Sequence, residues 1–151
     1  MPKTAVVLFL CTGNYYRSRL AEELFNHLAT EAHLSWCADS AALALELGHD
    51  NIGVISPYTL DGLKACSIVP RNAARPPRPV TIDDFVHADR IIALKEEEHR
   101  PYIQKQFPAH ADKVTYWHIN DVPPSDTYSP FVAIRGHVEE LIARLSATPL
   151  P

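Results

Sequence analysis

Cysteine is scarce in this chain: Cys11, Cys37 and Cys66 are the only three among 151 residues. That small, odd number excludes a disulfide framework and suits a reducing, cytoplasmic setting. Basic clusters are also missing. With 14 Lys and Arg against 18 Asp and Glu, the formal net charge is −4, which argues against a nucleic-acid or anionic-membrane partner. Any anion must therefore be held by a local site. No apolar run is long enough to cross a bilayer. The N-terminal "MPKTAVVLFLC" has the lysine, apolar run and cysteine of a lipoprotein signal. Leu10, however, stands where a small residue should precede a lipidated cysteine, and the run is very short for export, so a buried strand is expected. The eight histidines form no HxxxH pair and no Cys/His cluster of ligand spacing, so no metal site is expected and surface positions are. Internal repeats and low-complexity tracts are absent too.

What is present is a composition for one globular domain spanning residues 1–151, with 46% hydrophobic and 21% charged residues. Ala5 to Leu10 is a continuous apolar run, as in a central strand covered on both faces. Between Arg17 and Thr30 the period changes to helical, with Leu20, Ala21, Leu24, Phe25 and Leu28 on one face. His33 to Ala41 reads as a second strand entering a loop. Ser56-Pro57 caps a helix with Leu60 and Leu63 inward. A proline- and arginine-rich loop leads to a capping box, Thr81 with Asp84, and a short helix over Ile82 to His87. Arg90 to Leu94 is a third strand, and "KEEEHRPYIQKQF" a charged helix with a solvated face that Pro101 kinks or restarts. Lys113 to Ile119 is a fourth strand. Ser129-Pro130 caps the last helix, which buries Ile134, Val138, Leu141, Ile142 and Leu145. Cys37, beside Trp36 in a strand, reads as a core residue, and Cys66, near a helix end, as structural. Strands alternating with helices predict an α/β fold, a three-layer αβα sandwich on a four-stranded parallel sheet. Ligands in such sheets sit beyond the carboxyl ends of the strands, where Cys11 lies.

The stretch "CTGNYYRS", Cys11 to Ser18, follows the first strand and opens the first helix. A Cys-x5-Arg spacing alone is a weak signal, since Cys11 could be a buried strand-end residue and Arg17 a solvated one. Its context is what matters. Backbone N–H groups at a helix N-terminus and the helix dipole favour an anion. Gly13 and Asn14 tolerate unusual backbone angles, so successive N–H groups can turn inward as a nest for inorganic phosphate or other oxyanions. Arg17 can add a planar two-pronged contact. Helix terminus and guanidinium both stabilise a thiolate at Cys11, aimed at a phosphorus whose oxygens are already held.

These residues resemble the signature loop of the low-molecular-weight protein tyrosine phosphatases, an apolar strand, Cys-x-Gly-Asn-x-x-Arg-Ser and a helix. "ADSAAL", "RPVTIDDFVHADRIIAL" and the closing order of Asp, Pro and amphipathic helix are similar to that family's later segments, so the resemblance spans nearly the whole chain. It implies a flavodoxin-like, phosphotyrosine-phosphatase-I-like fold. It also implies hydrolysis of phosphate monoesters, in phosphorylated proteins or small molecules, through a cysteinyl-phosphate on Cys11. In this scheme Thr12, Gly13, Asn14, Tyr15 and Tyr16 form the phosphate loop, and Arg17 stabilises the transferring group. Asp121 takes the place of the general acid, with Asp126 as fallback. Ser18 donates to the sulfur, Asn14 holds the loop, and Ser40 supports Asn14. The family chemistry needs no magnesium or other cofactor.

Several positions depart from the family pattern. Tyr16 stands where a resolving cysteine is often found, which leaves Cys11 open to irreversible oxidation. Arg19 replaces a proline and adds a positive charge beside the loop; Arg75 replaces a supporting histidine; the acid lies in Asp-Val-Pro-Pro. The usual aromatic walls are missing, and Tyr15, Tyr16 or Tyr128 are candidates to replace them. Two rival readings follow. One is a catalytically weak or inactive phosphate-binding protein. The other is a thiol-dependent arsenate reductase, disfavoured because Cys37 and Cys66 lie far apart in the wrong segments.

Overall fold

The computed structural model describes residues 4–147; the remaining ends of the single domain expected over 1–151 lie outside the described residues. Four strands form one sheet in the order β2-β1-β3-β4, all parallel. They are β1 (Ala5–Cys11), β2 (Trp36–Ala42), β3 (Arg90–Ala93) and β4 (Val114–Tyr116). Helices α1 (Arg17–Glu31), α2 (Pro57–Ala65), α3 (Ile82–His87), α4 (Glu96–Gln106) and α5 (Pro130–Ala147) connect and cover them.

Strand alternation divides the core between the two faces of the sheet. Val7, Phe9 and Cys11 of β1 join one apolar cluster with Leu20, Leu24 and Phe25 of α1 and Ile134, Val138 and Leu141 of α5. Leu8 and Leu10 join the other, with Phe85 of α3 and Ile103 of α4. This is the three-layer arrangement predicted from the alternation of periods. The chain leaves β1 toward β2 on one side and β3 lies on the other, so the carboxyl end of β1 is a topological switch point where a crevice opens.

The helix starts follow local chemistry. Ser56 accepts from the Tyr58 N–H at 3.1 Å with Pro57 at the first position, Thr81 and Asp84 form a reciprocal capping box, and Ser129 accepts from the Val132 N–H at 3.2 Å. Five expectations need correction. The inward face of α2 is Thr59 and Leu63, not Leu60, which is exposed, because the Thr59 hydroxyl donates to the Tyr16 carbonyl at 3.1 Å and takes the inner place. Pro101 lies inside α4 without ending it. β2 begins at Trp36, since His33 turns the chain with φ 56°. β4 is regular only over Val114–Tyr116, after which Trp117 and Ile119 donate to the Ala93 and Leu94 carbonyls in an irregular continuation. Cys37 is half-buried on β2, not a core residue.

Candidate active site

Residues 11–18 turn from the end of β1 into the first turn of α1. The carbonyls of Cys11, Thr12, Tyr15 and Tyr16 accept from the Leu43, Ala44, Ser56 and Leu20 N–H groups respectively. Among the described residues no protein acceptor takes the N–H groups of residues 13–17. Carbonyls tied outward and N–H groups left over are what an oxyanion nest requires. Asn14 makes the turn, with φ 52°, a backbone state asparagine tolerates.

Every polar atom of the buried Asn14 side chain is used. Its Nδ2 donates to Ser18 Oγ at 2.8 Å and to Ser40 Oγ at 2.9 Å. Its Oδ1 accepts from Arg75 Nη1 and the Arg78 N–H, both at 3.2 Å. Because Ser18 Oγ already accepts from Asn14, its own proton is free to point at Cys11 Sγ, 2.9 Å away. Ser40 in turn donates to the buried Glu22 carboxylate at 2.6 Å. Glu22 also meets Arg75 Nη2 at 3.3 Å. The proton directions thus run from Asn14 toward Glu22 on one side and through Ser18 toward the sulfur on the other.

Arg17 is buried and its donors are divided. Nη1 donates to Glu98 Oε2 at 2.8 Å and to the Ile119 carbonyl at 3.0 Å, and Nη2 donates to Glu98 Oε1 at 2.9 Å. The unused hydrogens, on Nε and Nη2, lie on one edge of the guanidinium and form a fork suited to two oxyanion oxygens. Asp121 Oδ1 is 3.6 Å from Nε, so this edge faces the aspartate. Burial works against the Arg17 charge, but the Glu98 hydrogen bond and the field of its neighbours outweigh it and raise its pKa.

Glu98 and His99 were not found in the sequence, where "KEEEHR" reads as a solvated face and the histidines as surface residues. The correction is physical: at the start of α4 these two side chains turn toward the loop. Thr12 Oγ1 donates to Glu98 Oε1 at 2.7 Å and lies 3.1 Å from His99 Nε2. His99 Nδ1 accepts the Lys95 N–H at 3.0 Å, which fixes a neutral ring with its proton on Nε2, donating to Thr12. Burial, then Arg17, lowers the His99 pKa to about 4. Burial opposes ionisation of Glu98, but Arg17 and Thr12 prevail and hold it at about 2. The Thr12 hydroxyl therefore braces the Arg17 partner from behind. Arg19, expected as a further charge beside the loop, is buried and tied to the Asn14, Val54, Asn72 and Arg75 carbonyls at 2.8–3.4 Å.

A cavity of about 200 Å³ opens above Cys11, lined also by Gly13, Tyr15, Tyr16, Arg17, Asn51, Tyr58 and Asp121. Tyr15 is held by its hydroxyl on the Ile52 carbonyl at 2.6 Å. Tyr16 packs on Tyr58 with ring centroids 5.7 Å apart, and burial, then Asp121, raises its pKa to about 12. Tyr58 went unnoticed in the sequence as a wall residue. Tyr128 does not line the cavity; its hydroxyl accepts the Asn120 N–H at 3.0 Å and steadies the segment before Asp121. Asp126 is exposed and outside the lining. No cluster of three potential metal-ligating side chains occurs among the described residues.

Known proteins share the family pattern and the fold of this chain. The family model described as low molecular weight phosphotyrosine protein phosphatase matches residues 6–146. The low molecular weight phosphotyrosine protein phosphatase of Sus scrofa is 33% identical over 105 residues, 68% of this chain and 62% of that protein, so the match spans under two thirds of that relative. The protein-arginine-phosphatase of Bacillus subtilis is 29% identical over 108 residues, 72% of this chain and 67% of that protein. The crystal structure of YfkJ from Bacillus subtilis superposes with a TM-score of 0.75 at 24% identity, covering 97% of each chain.

Proposed function

This chain belongs to the low-molecular-weight phosphotyrosine protein phosphatase family, and from that premise we propose that it hydrolyses phosphate monoesters, phosphotyrosine in proteins or small aryl phosphates, through Cys11. The thiolate attacks phosphorus, forming the S–P bond as the P–O bond to the leaving group breaks. The free edge of Arg17 and the N–H groups of the loop hold the remaining phosphoryl oxygens. Asp121 gives its proton to the leaving oxygen, then takes one from the water that attacks the cysteinyl-phosphate. Inorganic phosphate leaves and the thiolate returns. No step calls for a cofactor.

The observation that carries this reading is the chain from Asn14 through Ser18 to Cys11 Sγ, at 2.8 and 2.9 Å, beside the open edge of Arg17. A hydroxyl aimed at the sulfur suits a nucleophilic cysteine, and an inert core cysteine does not need one. It also argues against the inactive phosphate-binding alternative. Asp121 is preferred over Asp126 as the acid because it lines the cavity and sits against Arg17. Turnover of an aryl phosphate from mildly acidic to neutral pH tests the proposal. Wild type turns over, Cys11→Ser is dead, and Asp121→Asn loses at least about 100-fold in kcat. Loss in Asp126→Asn with Asp121→Asn unaffected reassigns the acid, and no turnover in reduced wild type refutes the enzyme reading.

Kinship to a protein-arginine-phosphatase makes phosphoarginine a second substrate class. The exposed Asp121 carboxylate at the cavity mouth suits a guanidinium leaving group, whereas the Tyr15, Tyr16 and Tyr58 rings suit an aryl ester. Side-by-side turnover of phosphotyrosine and phosphoarginine peptides decides between them.

A further inference from the structure

Tyr16 and Tyr58 wall a second space as well. Beyond their ridge lies a groove of about 460 Å³, lined by both rings and by Asp61, Ala65, Pro124 and Phe131. It adjoins the catalytic cavity, because the same two side chains line each. Tyr58, Asp61, Gly62 and Ala65 share one face of α2 at helical spacing. Gly62 is needed there: a Cβ at this position would stand 2.5 Å from Phe131 Cδ2, so only glycine lets the ring from the start of α5 lie against α2 in its present place.

We propose that this groove receives an apolar side chain of the substrate polypeptide, flanking the phosphorylated residue, an inference that rests on the phosphatase reading above. Adjacency names the occupant. A polypeptide whose phosphorylated side chain points down at Cys11, and whose backbone leaves the cavity over the Tyr16 and Tyr58 side chains, meets this groove next. The chemistry agrees, since aromatic rings, Pro124 and Ala65 offer apolar contact. Asp61, the one carboxylate among the lining residues, repels a second phosphate or an anionic headgroup. Burial of one leucine side chain there is expected to lower KM about ten-fold.

The test uses phosphotyrosine peptides that differ only in Leu or Ala at successive flanking positions, with a small aryl phosphate as control. In wild type, one position should give the Leu peptide a KM about ten-fold below that of the Ala peptide, with kcat within about two-fold. Ala65→Trp and Asp61→Trp fill the groove from its exposed side, and each should erase that difference while aryl phosphate turnover, which certifies the fold, is kept. Equal KM values at every position with normal aryl phosphate turnover overturn the groove alone. Absence of aryl phosphate turnover in wild type overturns both readings. Discrimination that survives in both filled variants places selectivity elsewhere. A wild-type dimer that Ala65→Trp converts to monomer shows that the occupant is a second copy of this chain.

Discussion

Asn14 does the work of several residues. A left-handed φ of 52° aims its neighbours' N–H groups inward, and its amide ties Ser18, Ser40, Arg75 and the Arg78 backbone into one network. The last link, Ser18 Oγ to Cys11 Sγ, is a hydrogen bond to a group that works as an anion, typically the stronger kind. Ser18→Ala should therefore lower kcat by about 10- to 100-fold and slow alkylation of Cys11 by iodoacetate at slightly acidic pH. Unchanged alkylation would mean that the hydroxyl does not set the reactivity of this sulfur. Glu98 acts through Arg17, whose end it grips with both oxygens. Glu98→Gln keeps the shape but removes the charge, and the expected result is about a ten-fold loss in kcat/KM with weaker inhibition by inorganic phosphate. If both hold at wild-type values, Arg17 needs no carboxylate to keep its open edge presented.

Elements set by neighbours in sequence were legible; contacts set by distant segments were not. The β1 run, the period of α1 and the caps at Ser56, Thr81 and Ser129 are local chemistry, and their helices start where that chemistry places them. Cys11, Arg17 and Asn14 are recognisable because strand, loop and helix follow one another without interruption. Glu98 is different. Its partner Arg17 is 81 residues away, and nothing in a run of three glutamates tells which one turns inward. Glu22 on α1 hides in the same way, since its partners Ser40, Asn72 and Arg75 lie on later segments. The contact of α2 with α5 is another long-range fit. Gly62→Ala is expected to cost about 1–2 kcal/mol through overpacking against Phe131, despite alanine's better helix propensity, and to lower the Tm by a few degrees. A raised Tm would show that Phe131 moves aside freely.

For the molecule as a whole, the sheet order puts the switch point at the end of β1, and the segments that follow β1, β3 and β4 meet there through Arg17, Glu98 and Asp121. Fold stability and site are therefore linked through the charges buried at this edge. Folding lowers the His99 pKa from 6.5 to about 4, so between these values the unfolded chain binds a proton that the folded one refuses. The contribution is present above about pH 6.5 and is lost as pH falls toward 4. Glu98, lowered from 4.5 to about 2, adds a second loss at lower pH with the same sign. Tm measured against pH should fall through the upper window in wild type and fall less steeply there in His99→Gln. Parallel curves would show that another group carries the acid sensitivity.

One measurement bears most directly on the central claim. Wild type and Asp121→Asn are mixed rapidly with an aryl phosphate, quenched, digested and searched by mass for phosphate on Cys11. The account predicts a burst of aryl product and a cysteinyl-phosphate at Cys11, absent in Cys11→Ser. Turnover with no phosphate ever bound to Cys11 would contradict it and leave the loop as a holder of phosphate, not its acceptor.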